Sequence, residues 1–376
     1  MKSAILMGGL MACLAIGITT AQAQQYSLAD LGVVKDMDYS VPAAINNLGY
    51  VAGSAYAENA TSCAFHYDYV KKLMEDAGGL NSRGFAISST DLVVGDTFTV
   101  VPMEPKSHAA TFQNGVVKDL GVLPGYAYSR ANGVNARGQV VGFSSVQRDS
   151  FESRAFLWTS QSGMIDIGTL GGGYAQANAI NDNGSVTGAS QTRGMSPVAA
   201  IHAFLYQPMC LTCVTMRDLG VLGGLSSYGM AINNTSHVVG YSTVAANDER
   251  VHAFFNDGNR MIDLGSLGAA GARWGSDLSV ALALNNSDQV VGYSYLPVVG
   301  DMPIQQVAFV WTRNTSITGT GRMLNLNKLV VNLGTYLLTS ATGINDNGQI
   351  VASALDLQTG SVHAVLLTPV PPTLVR

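Results

Sequence analysis

A repeated string of 25 or 26 residues most constrains what this chain can fold into. DLGVLGGLSSYGMAINNTSHVVGYS at residues 218–242 returns as DIGTLGGGYAQANAINDNGSVTGAS at 166–190 and as DLGVLPGYAYSRANGVNARGQVVGFS at 119–144. Such self-similarity is typical of repeat architectures, in which each copy needs its neighbours to bury a core. The string contains no paired carboxylates, metal-ligand set or phosphate loop, so it is first of all a building unit.

Four short elements recur seven times in a fixed order. The first ends in Asp-Leu-Gly or a relative and begins at residues 28, 72, 117, 164, 216, 261 and 323. The second ends in Ile-Asn or a relative and begins at 43, 85, 132, 178, 230, 282 and 342. The third, typified by QVVGYS, begins at 49, 92, 139, 185, 237, 289 and 349. The fourth, typified by HAFLY, begins at 63, 108, 154, 202, 252, 307 and 363.

Each element has the composition of a β-strand. The elements are rich in Val, Ile, Leu and aromatic residues, and Gly, Asn, Asp or Ser bound them. The Asn-Asp-Asn-Gly turns at 181–184 and 345–348 favour hairpins, since Asn and Gly tolerate positive φ. Four antiparallel strands per repeat are typical of a propeller blade. The sequence therefore predicts an all-β, seven-bladed β-propeller of four-stranded antiparallel blades, with an open solenoid or β-helix as the alternative.

The order of the elements also predicts how such a ring closes. The first strand element is Leu28–Gly32 and the last is a fourth element, His363–Leu367. Pairing of the C-terminal strand with the N-terminal strands would complete the seventh blade and remove an open sheet edge. We therefore expect a single domain over residues 24–376.

The N-terminal residues have the pattern of a secretory signal peptide. Residues 1–23 carry Lys2, an apolar run and the small-residue pattern Ala21-Gln22-Ala23. Lipidation at Cys13 is the alternative, although the apolar run continues past it. No later segment reaches the roughly 18 apolar residues of a membrane-spanning helix. We expect an exported protein, extracellular or periplasmic, that is a monomer.

Composition argues against nucleic acid as a partner, but it does not decide the state of the cysteines. The net charge is −5 and there is no basic stripe, so nucleic acid is not an expected partner. After export three cysteines remain, Cys63, Cys210 and Cys213. A local disulfide between Cys210 and Cys213 is the favoured interpretation in an oxidising compartment, with reduced thiols or a metal or redox role as alternatives. We predict neither a cofactor nor a metal ion.

These strings resemble the HAF-repeat family of probable extracellular proteins. The His-Ala-Phe of residues 202–204 and 252–254 carries the resemblance, together with the DLGxLGG and AIN..G.VVGYS strings. The resemblance covers essentially the whole chain after residue 23. It implies secretion and a repeat fold, and it brings no established catalytic residues.

Two sets of repeated polar residues have a simple structural interpretation. Four fourth elements begin with histidine, namely His108, His202, His252 and His363. Five first elements carry aspartate before the Leu/Ile-Gly, namely Asp30, Asp119, Asp166, Asp218 and Asp263. Blade-related copies point along separate spokes, so we interpret the histidines as hydrogen-bonding between strands. We interpret the aspartates as acceptors for backbone N–H groups in the glycine turn.

Aromatic residues in the loop between the first and second elements are the candidate binding site. They occur in six of the seven repeats, as Tyr39, Tyr126, Tyr128, Tyr174, Tyr228, Trp274 and Tyr336. Equivalent loops of a closed ring open on one face, and aromatic side chains are enriched at binding surfaces. The alternative is that these side chains pack between neighbouring blades.

The sequence predicts a binding or scaffold protein rather than naming a ligand. The leading hypothesis is a secreted, non-enzymatic propeller that binds a glycan, an envelope component or a protein. The alternatives are an extracellular propeller enzyme that acts on glycans, as a hydrolase or lyase, and a structural surface protein. An enzyme would need a non-repeated cluster of acidic, His or Tyr residues at the mouth of the ring, drawn from irregular insertions, and the largest insertions contain one acid, Asp277.

Overall fold

A computed structural model describes most of the chain after the predicted signal peptide. The described residues are 23–99, 106–147, 150, 152–193, 200–208, 216–246, 248–268, 277–297, 304–313 and 321–371. Residues 1–22 of the predicted signal peptide, the predicted Cys210–Cys213 disulfide and Trp274 lie outside these ranges.

The described residues form strands almost throughout, as the repeat elements predict, and the all-β prediction is confirmed. A single short 3₁₀ helix, Leu326–Lys328, occurs in the described part of the chain. The strands are β1 (Gln25–Asp30), β2 (Tyr39–Ile45), β3 (Val51–Tyr56), β4 (Ser62–Asp68), β5 (Leu73–Leu80), β6 (Ser82–Ile87), β7 (Val93–Thr99), β8 (Lys106–Gln113), β9 (Val116–Asp119), β10 (Tyr128–Val134), β11 (Val140–Ser145), β12 (Ser153–Thr159), β13 (Gly163–Asp166), β14 (Gly171–Ile180), β15 (Val186–Thr192), β16 (Ile201–Tyr206), β17 (Met216–Asp218), β18 (Ser227–Ile232), β19 (Val238–Ala245), β20 (Asp248–Asn256), β21 (Met261–Asp263), β22 (Ser279–Leu284), β23 (Gln289–Tyr295), β24 (Gln306–Arg313), β25 (Gly321–Asn325), β26 (Val330–Val331), β27 (Tyr336–Ile344), β28 (Ile350–Asp356) and β29 (Val362–Val370).

Neighbouring strands in the sequence pair to form small antiparallel sheets. Four sheets have four strands each, in the orders β2-β3-β4-β5, β6-β7-β8-β9, β18-β19-β20-β21 and β22-β23-β24-β25. An eight-stranded sheet joins β10 to β13 with β14 to β17 through one parallel contact between Ser153 and Tyr174. A five-stranded sheet has the order β26-β1-β29-β28-β27. Each hairpin follows from the turn residues between consecutive repeat elements.

The five-stranded sheet brings the two ends of the described chain together. Strand β1 pairs antiparallel with β29 along its whole length, from Gln25 opposite Val370 to Asp30 opposite Val365. The prediction that the C-terminal strand pairs with several N-terminal strands needs correction, because β2 to β5 form a sheet of their own and only β1 crosses over. Strand β26 covers the other edge of β1 in parallel pairing. Strand β1 is therefore held on both sides.

Consecutive sheets share hydrophobic cores. Val51 and Phe65 of the β2–β5 sheet pack with Val351 and Leu366 of the five-stranded sheet. Equivalent clusters join each group of four strands to the next one along the chain. The first strands of these groups, β2, β6, β10, β14, β18, β22 and β27, each contact the next, and β27 contacts β2. These contacts form a cycle of seven strands, and we call the line about which the seven strands are arranged the common axis.

Serine side chains join the sheets at the start of these first strands. In five of the sheets a serine hydroxyl accepts a backbone N–H from the third strand of the preceding group at 2.8–2.9 Å, and the serines are Ser40, Ser82, Ser129, Ser227 and Ser279. The same hydroxyl donates to a glycine carbonyl of the preceding segment, which is a loop in four cases and the end of β5 for Ser82. One buried hydroxyl thus ties two sheets and a loop together.

The glycine of the third element is required inside a sheet rather than between sheets. A Cβ on Gly142 would lie 1.8 Å from the carbonyl oxygen of Arg130 on the neighbouring strand. The pairing register shifts beside this position, between Ala131 and Gly133. The contact that requires glycine here is therefore with the bulged partner strand of the same sheet.

Candidate functional site

Seven turns between the second and third elements meet at one end of the common axis. Together they line a shallow depression of about 220 Å³. Six turns begin with asparagine and one with serine: Asn46, Ser88, Asn135, Asn181, Asn233, Asn285 and Asn345. We call them the asparagine turns.

Each asparagine of these turns first stabilises its own hairpin. The side-chain oxygen accepts the backbone N–H groups two and four residues later at 2.9–3.2 Å, as in Asn181 with Asn183 and Ser185. Such local bonds favour asparagine in turns. The sequence predicted the hairpins on this basis.

The amide nitrogen of the same asparagine bonds to the next turn around the axis. Each Nδ2 donates to the first carbonyl oxygen of the following turn at 2.9–3.2 Å, in the pairs Asn46–Ser88, Asn135–Asn181, Asn181–Asn233, Asn233–Asn285, Asn285–Asn345 and Asn345–Asn46. The last pair links the final repeat to the first. Because these amides are engaged with backbone, their role is to hold neighbouring repeats together.

We call the series of hydrogen bonds from each asparagine amide to the next turn the relay. The relay is interrupted after Ser88, whose side chain is a hydroxyl and not an amide. The Ser88 hydroxyl accepts the backbone N–H groups of Thr90 and Leu92, as the asparagines do in their own turns. Within the described residues no amide donates from this turn to the carbonyl of Asn135. Ser88→Asn supplies the missing donor without changing the local turn.

We expect Ser88→Asn to raise the free energy of unfolding by about 1 kcal/mol, the usual net value of one hydrogen bond. Tm should rise by about 2 °C in a chain of this size. The matched variant Asn181→Ser removes one link and should lower Tm by a similar amount. Thermal denaturation of the two variants checks the relay, and an unchanged or lower Tm in Ser88→Asn would contradict it.

The repeated histidines and aspartates pair within the sheets. His Nδ1 lies 2.7–3.0 Å from an aspartate oxygen in His108–Asp119, His202–Asp218, His252–Asp263 and His363–Asp30. Aspartates also accept the N–H of the glycine two residues later, at 2.7–2.8 Å, in Asp30, Asp119, Asp166, Asp218 and Asp263. Both interpretations from the sequence agree with these contacts. Within the described residues no group of three or more His, Cys, Asp or Glu side chains is placed to hold a metal ion.

One of these pairs has an additional carboxylate. His252 Nε2 lies 3.0 Å from the buried Asp277, while Nδ1 lies 3.0 Å from Asp263. Burial disfavours the charged imidazole, but the two carboxylates outweigh it and raise the pKa of His252. The Ser266 hydroxyl donates to Asp277 and not to the imidazole. Since both ring nitrogens face carboxylates, the arrangement stabilises an imidazolium and does not activate a serine nucleophile.

We expect the stabilisation from His252 to depend on pH in a defined window. A raised folded-state pKa gives stability that is complete below about pH 6.5 and is lost as pH rises through the folded value. Burial opposes ionisation of Asp263 and Asp277, but hydrogen bonds lower their pKa, so their contribution is present above about pH 4 and lost in acid. His252→Gln should therefore lower Tm more at about pH 5.5 than at about pH 8.5.

The control for this pH effect is His202→Gln, because His202 faces one carboxylate, Asp218, instead of two. Thermal denaturation of both variants across this pH range provides the measurement. An equal loss at both pH values for His252→Gln would show that the imidazole acts only by packing.

The opposite end of the axis carries a different set of side chains. On two neighbouring sheets, Arg83 and Arg130 both bond to the fully buried carboxylate of Asp96, Arg83 through Nε at 2.9 Å and Arg130 through Nε at 3.3 Å. The Arg130 guanidinium also lies 5.0 Å from the ring centre of Phe85 and 5.7 Å from that of Phe143. Arg83, Arg130 and Asp96 therefore form, with the aromatic rings, a compact ion-pair and cation–π cluster.

In sheets further around the axis, tyrosines take the register positions that Arg130 and Phe143 occupy in the third repeat. Tyr228 of β18 stacks on Tyr241 of β19, with ring centres 4.8 Å apart and planes 17° from parallel. Tyr293 and Tyr295 of β23 lie 6.3 Å apart. Tyr174 of β14 completes the group, since the phenols of Tyr228 and Tyr241 are close enough to affect its pKa. We call Tyr174, Tyr228, Tyr241, Tyr293 and Tyr295 the tyrosine cluster, and all five are partly exposed.

The predicted site residues that the structure describes lie in different surroundings. Tyr174 and Tyr228 belong to the tyrosine cluster. Tyr39 stacks on Tyr56 across β2 and β3, with ring centres 5.2 Å apart. Tyr128 is partly exposed at the start of β10.

Two further predicted residues contact a hydrophobic core or strand β1. Tyr126 packs against the core shared by Leu123 and Phe156. Tyr336 donates a 2.7 Å hydrogen bond to Asp30 of β1. These two side chains follow the alternative that the sequence left open, which was packing.

Sequence reasoning missed the tyrosines of the third element. Tyr241 and Tyr293 follow the glycine of VVGYS, and Phe143 follows the glycine of VVGFS. The repeated aromatic residue at this place is a usable signal, because it lies directly opposite a residue near the start of the first strand, as Tyr241 does with Tyr228.

Comparison with known proteins gives a partial family match. The model of a family described as "Protein of unknown function (DUF3466)" matches residues 124–267. This range covers the strands of the third, fourth and fifth repeats, β10 to β21. No curated protein sequence matches the chain.

Solved structures give a likeness of fold. The β-propeller domain of the Trilobed protease from Pyrococcus furiosus aligns with a TM-score of 0.52 and 11% identity, over 90% of this chain and 100% of that one. An oligogalacturonate lyase from Vibrio parahaemolyticus aligns with a TM-score of 0.54 and 9% identity, over 92% and 94% of the two chains. The fold is propeller-like. At these identities the likeness concerns the backbone architecture and not the chemistry of a site.

Within the described residues no helix has the length and apolarity needed to cross a bilayer.

Proposed function

We propose that the chain is an exported, non-enzymatic β-propeller that binds an extracellular ligand through the tyrosine cluster. The proposal includes a closed ring of seven four-stranded blades, in which β1 completes the blade of β27, β28 and β29. Support for closure comes from the pairing of β1 with β29 and from the Asn345–Asn46 hydrogen bond. Support for export comes from the pattern of residues 1–23 and from the resemblance to HAF-repeat proteins.

The observation that carries the binding proposal is the stacked pair Tyr228 and Tyr241. The two rings stack on one another, both remain partly exposed, and the pairing of β18 with β19 holds them in register. Among the residues that the structure describes, no side-chain hydrogen bond involves the hydroxyls of Tyr174, Tyr228, Tyr241 or Tyr293. Rigid aromatic side chains with available hydroxyl groups are characteristic of binding surfaces.

The test is a binding screen of the purified chain from residue 24. Immobilised glycans, envelope fractions and peptides serve as probes, and a chromogenic glycoside panel measures turnover. Binding without turnover supports the proposal, whereas turnover favours a glycan-active enzyme. Fractionation of expressing cells tests export, and retention in the cytoplasm would contradict it.

We expect the double variant Tyr228→Ala/Tyr241→Ala to lose binding at least about tenfold, as truncation of central aromatic anchors does. Tm should change little, because both rings are partly exposed. The matched control is Tyr39→Ala/Tyr56→Ala, which removes a stacked tyrosine pair from a different sheet. Equal losses in the two double variants would show that the tyrosine cluster is not the site.

A further inference from the structure

Strand pairing fixes the orientation of the central rings of the tyrosine cluster. Tyr228 and Tyr241 are directly opposed cross-strand partners on β18 and β19. Tyr174 comes from the preceding sheet and Tyr293 from the following one. The cluster therefore spans three neighbouring sheets, and a ligand that covers it contacts more than one repeat.

The cluster is uncharged at neutral pH. Burial raises the pKa of Tyr241 to about 12, with smaller effects from Tyr228 and Tyr293. Burial also raises the pKa of Tyr174, Tyr228 and Tyr293. The phenols thus stay protonated, and each can both donate and accept a hydrogen bond.

Charged side chains are not among the groups that shift these phenols. Burial and neighbouring tyrosines account for the raised pKa values of Tyr174, Tyr228, Tyr241 and Tyr293. By contrast, a hydrogen bond to the Asp30 carboxylate raises the pKa of Tyr336. The equivalent register positions of the second and third repeats carry Arg83 and Arg130, which bond to Asp96. The cluster is an uncharged patch beside a separate ion-pair cluster.

We propose that the ligand of the tyrosine cluster is an uncharged oligosaccharide, an inference that rests on the proposed binding function. A pyranose ring has an apolar C–H face that matches a flat aromatic ring, and hydroxyl groups at its edge that match phenol donors and acceptors. Gln176 of β14, partly exposed two residues after Tyr174 on the same strand, adds an amide group of the same neutral character. An anionic sugar would require guanidinium or ammonium partners, which this patch does not contain among the described residues.

A proline-rich peptide is the main rival in chemical terms, since such peptides also dock on aromatic grooves. The observations favour the sugar because the cluster offers unbonded hydroxyls from several tyrosines. A proline-rich peptide has no backbone N–H at its prolines and uses ring faces more than hydroxyl donors. Phenylalanine variants therefore separate the two: they keep the faces and remove the hydroxyls.

The experiment is isothermal titration of the chain from residue 24 with three probes. These are neutral gluco- and chito-oligosaccharides, oligogalacturonate and a proline-rich peptide. We expect a neutral oligosaccharide to bind with an affinity that changes little with salt. Tyr228→Ala/Tyr241→Ala should weaken it at least about tenfold, and Tyr228→Phe/Tyr241→Phe should weaken it severalfold while Tm is kept.

The other outcomes overturn the inference in distinguishable ways. Salt-dependent binding of oligogalacturonate alone, or binding of the peptide alone with Phe variants as good as wild type, would exclude the neutral sugar and leave the proposed binding function standing. Failure of all three probes together with an empty binding screen would overturn both. Binding of the neutral sugar that survives the double alanine variant would place the site elsewhere.

Discussion

Removal of β1, by deletion of residues 23–31, should unfold the protein at ordinary temperature or lower its free energy of unfolding by more than about 5 kcal/mol. Strand β1 is hydrogen-bonded along β29, and Tyr26 is 1% exposed in a core with Leu338 and Leu367. Its loss also leaves His363 without Asp30 and opens the edge of β29. Circular dichroism and thermal denaturation of the truncated chain provide the measurement.

Two point variants give the matched comparison for this result. Tyr26→Ala should cost about 3–5 kcal/mol, as the truncation of large buried aromatics does. Ser27→Ala, at an exposed neighbouring position, should change stability by less than about 0.5 kcal/mol. A synthetic peptide of residues 23–32 added to the truncated chain should restore part of the lost stability. A truncated chain that melts like the intact one would show that β1 frays freely and does not complete a blade.

Substitution of Gly142 should have the second largest effect. Gly142→Ala places a methyl group 1.8 Å from the Arg130 carbonyl oxygen, so one of two paired strands must move. We expect a loss of about 3 kcal/mol or more, at the upper end of overpacking costs, and failure to fold for Gly142→Val. Soluble yield and Tm give the measurement.

The control for this prediction is Gly173→Ala. The nearest atom to a Cβ there is Gln191 Oε1 at 3.6 Å, and the change should be nearly neutral. The seventh repeat has Ala352 at the place of Gly142, and its partner strand has an additional register shift between Leu338 and Ser340. If Gly142→Ala has the Tm of wild type, the partner strand of the third repeat can shift its register as the seventh repeat does. The argument from contact distance would then be wrong.

The strands were predictable because their signals are local. Alternating apolar residues and Asn-Gly turns set each hairpin before any distant contact forms, and the turn of residues 181–184 behaves as its sequence indicates. The pairing of His202 with Asp218 is also local, since Asp218 lies opposite Phe204 on the adjacent strand, two residues from His202. In both cases the partners are close in sequence.

The candidate site was predictable only in part. Tyr174 and Tyr228 were selected from loop position, but Tyr126 at a similar place packs into a core. These tyrosines start from different places relative to their strands. Tyr126 lies before β10, Tyr174 directly precedes the first buried residue of β14, and Tyr228 follows the buried Ser227 of β18. The partner Tyr241 comes from the third element and was not singled out.

The sequence by itself determined the repeat, its four strands and the hairpin turns, because these depend on contacts within about 25 residues and on the backbone preferences of Asn and Gly. The tertiary structure alone decided that the Asn181 amide bonds to Asn233 in the next repeat and that Asn345 bonds to Asn46. It alone decided that tyrosines from three sheets meet. Contacts between residues 50 to 300 positions apart depend on how sheets pack around an axis, and no local pattern encodes that geometry.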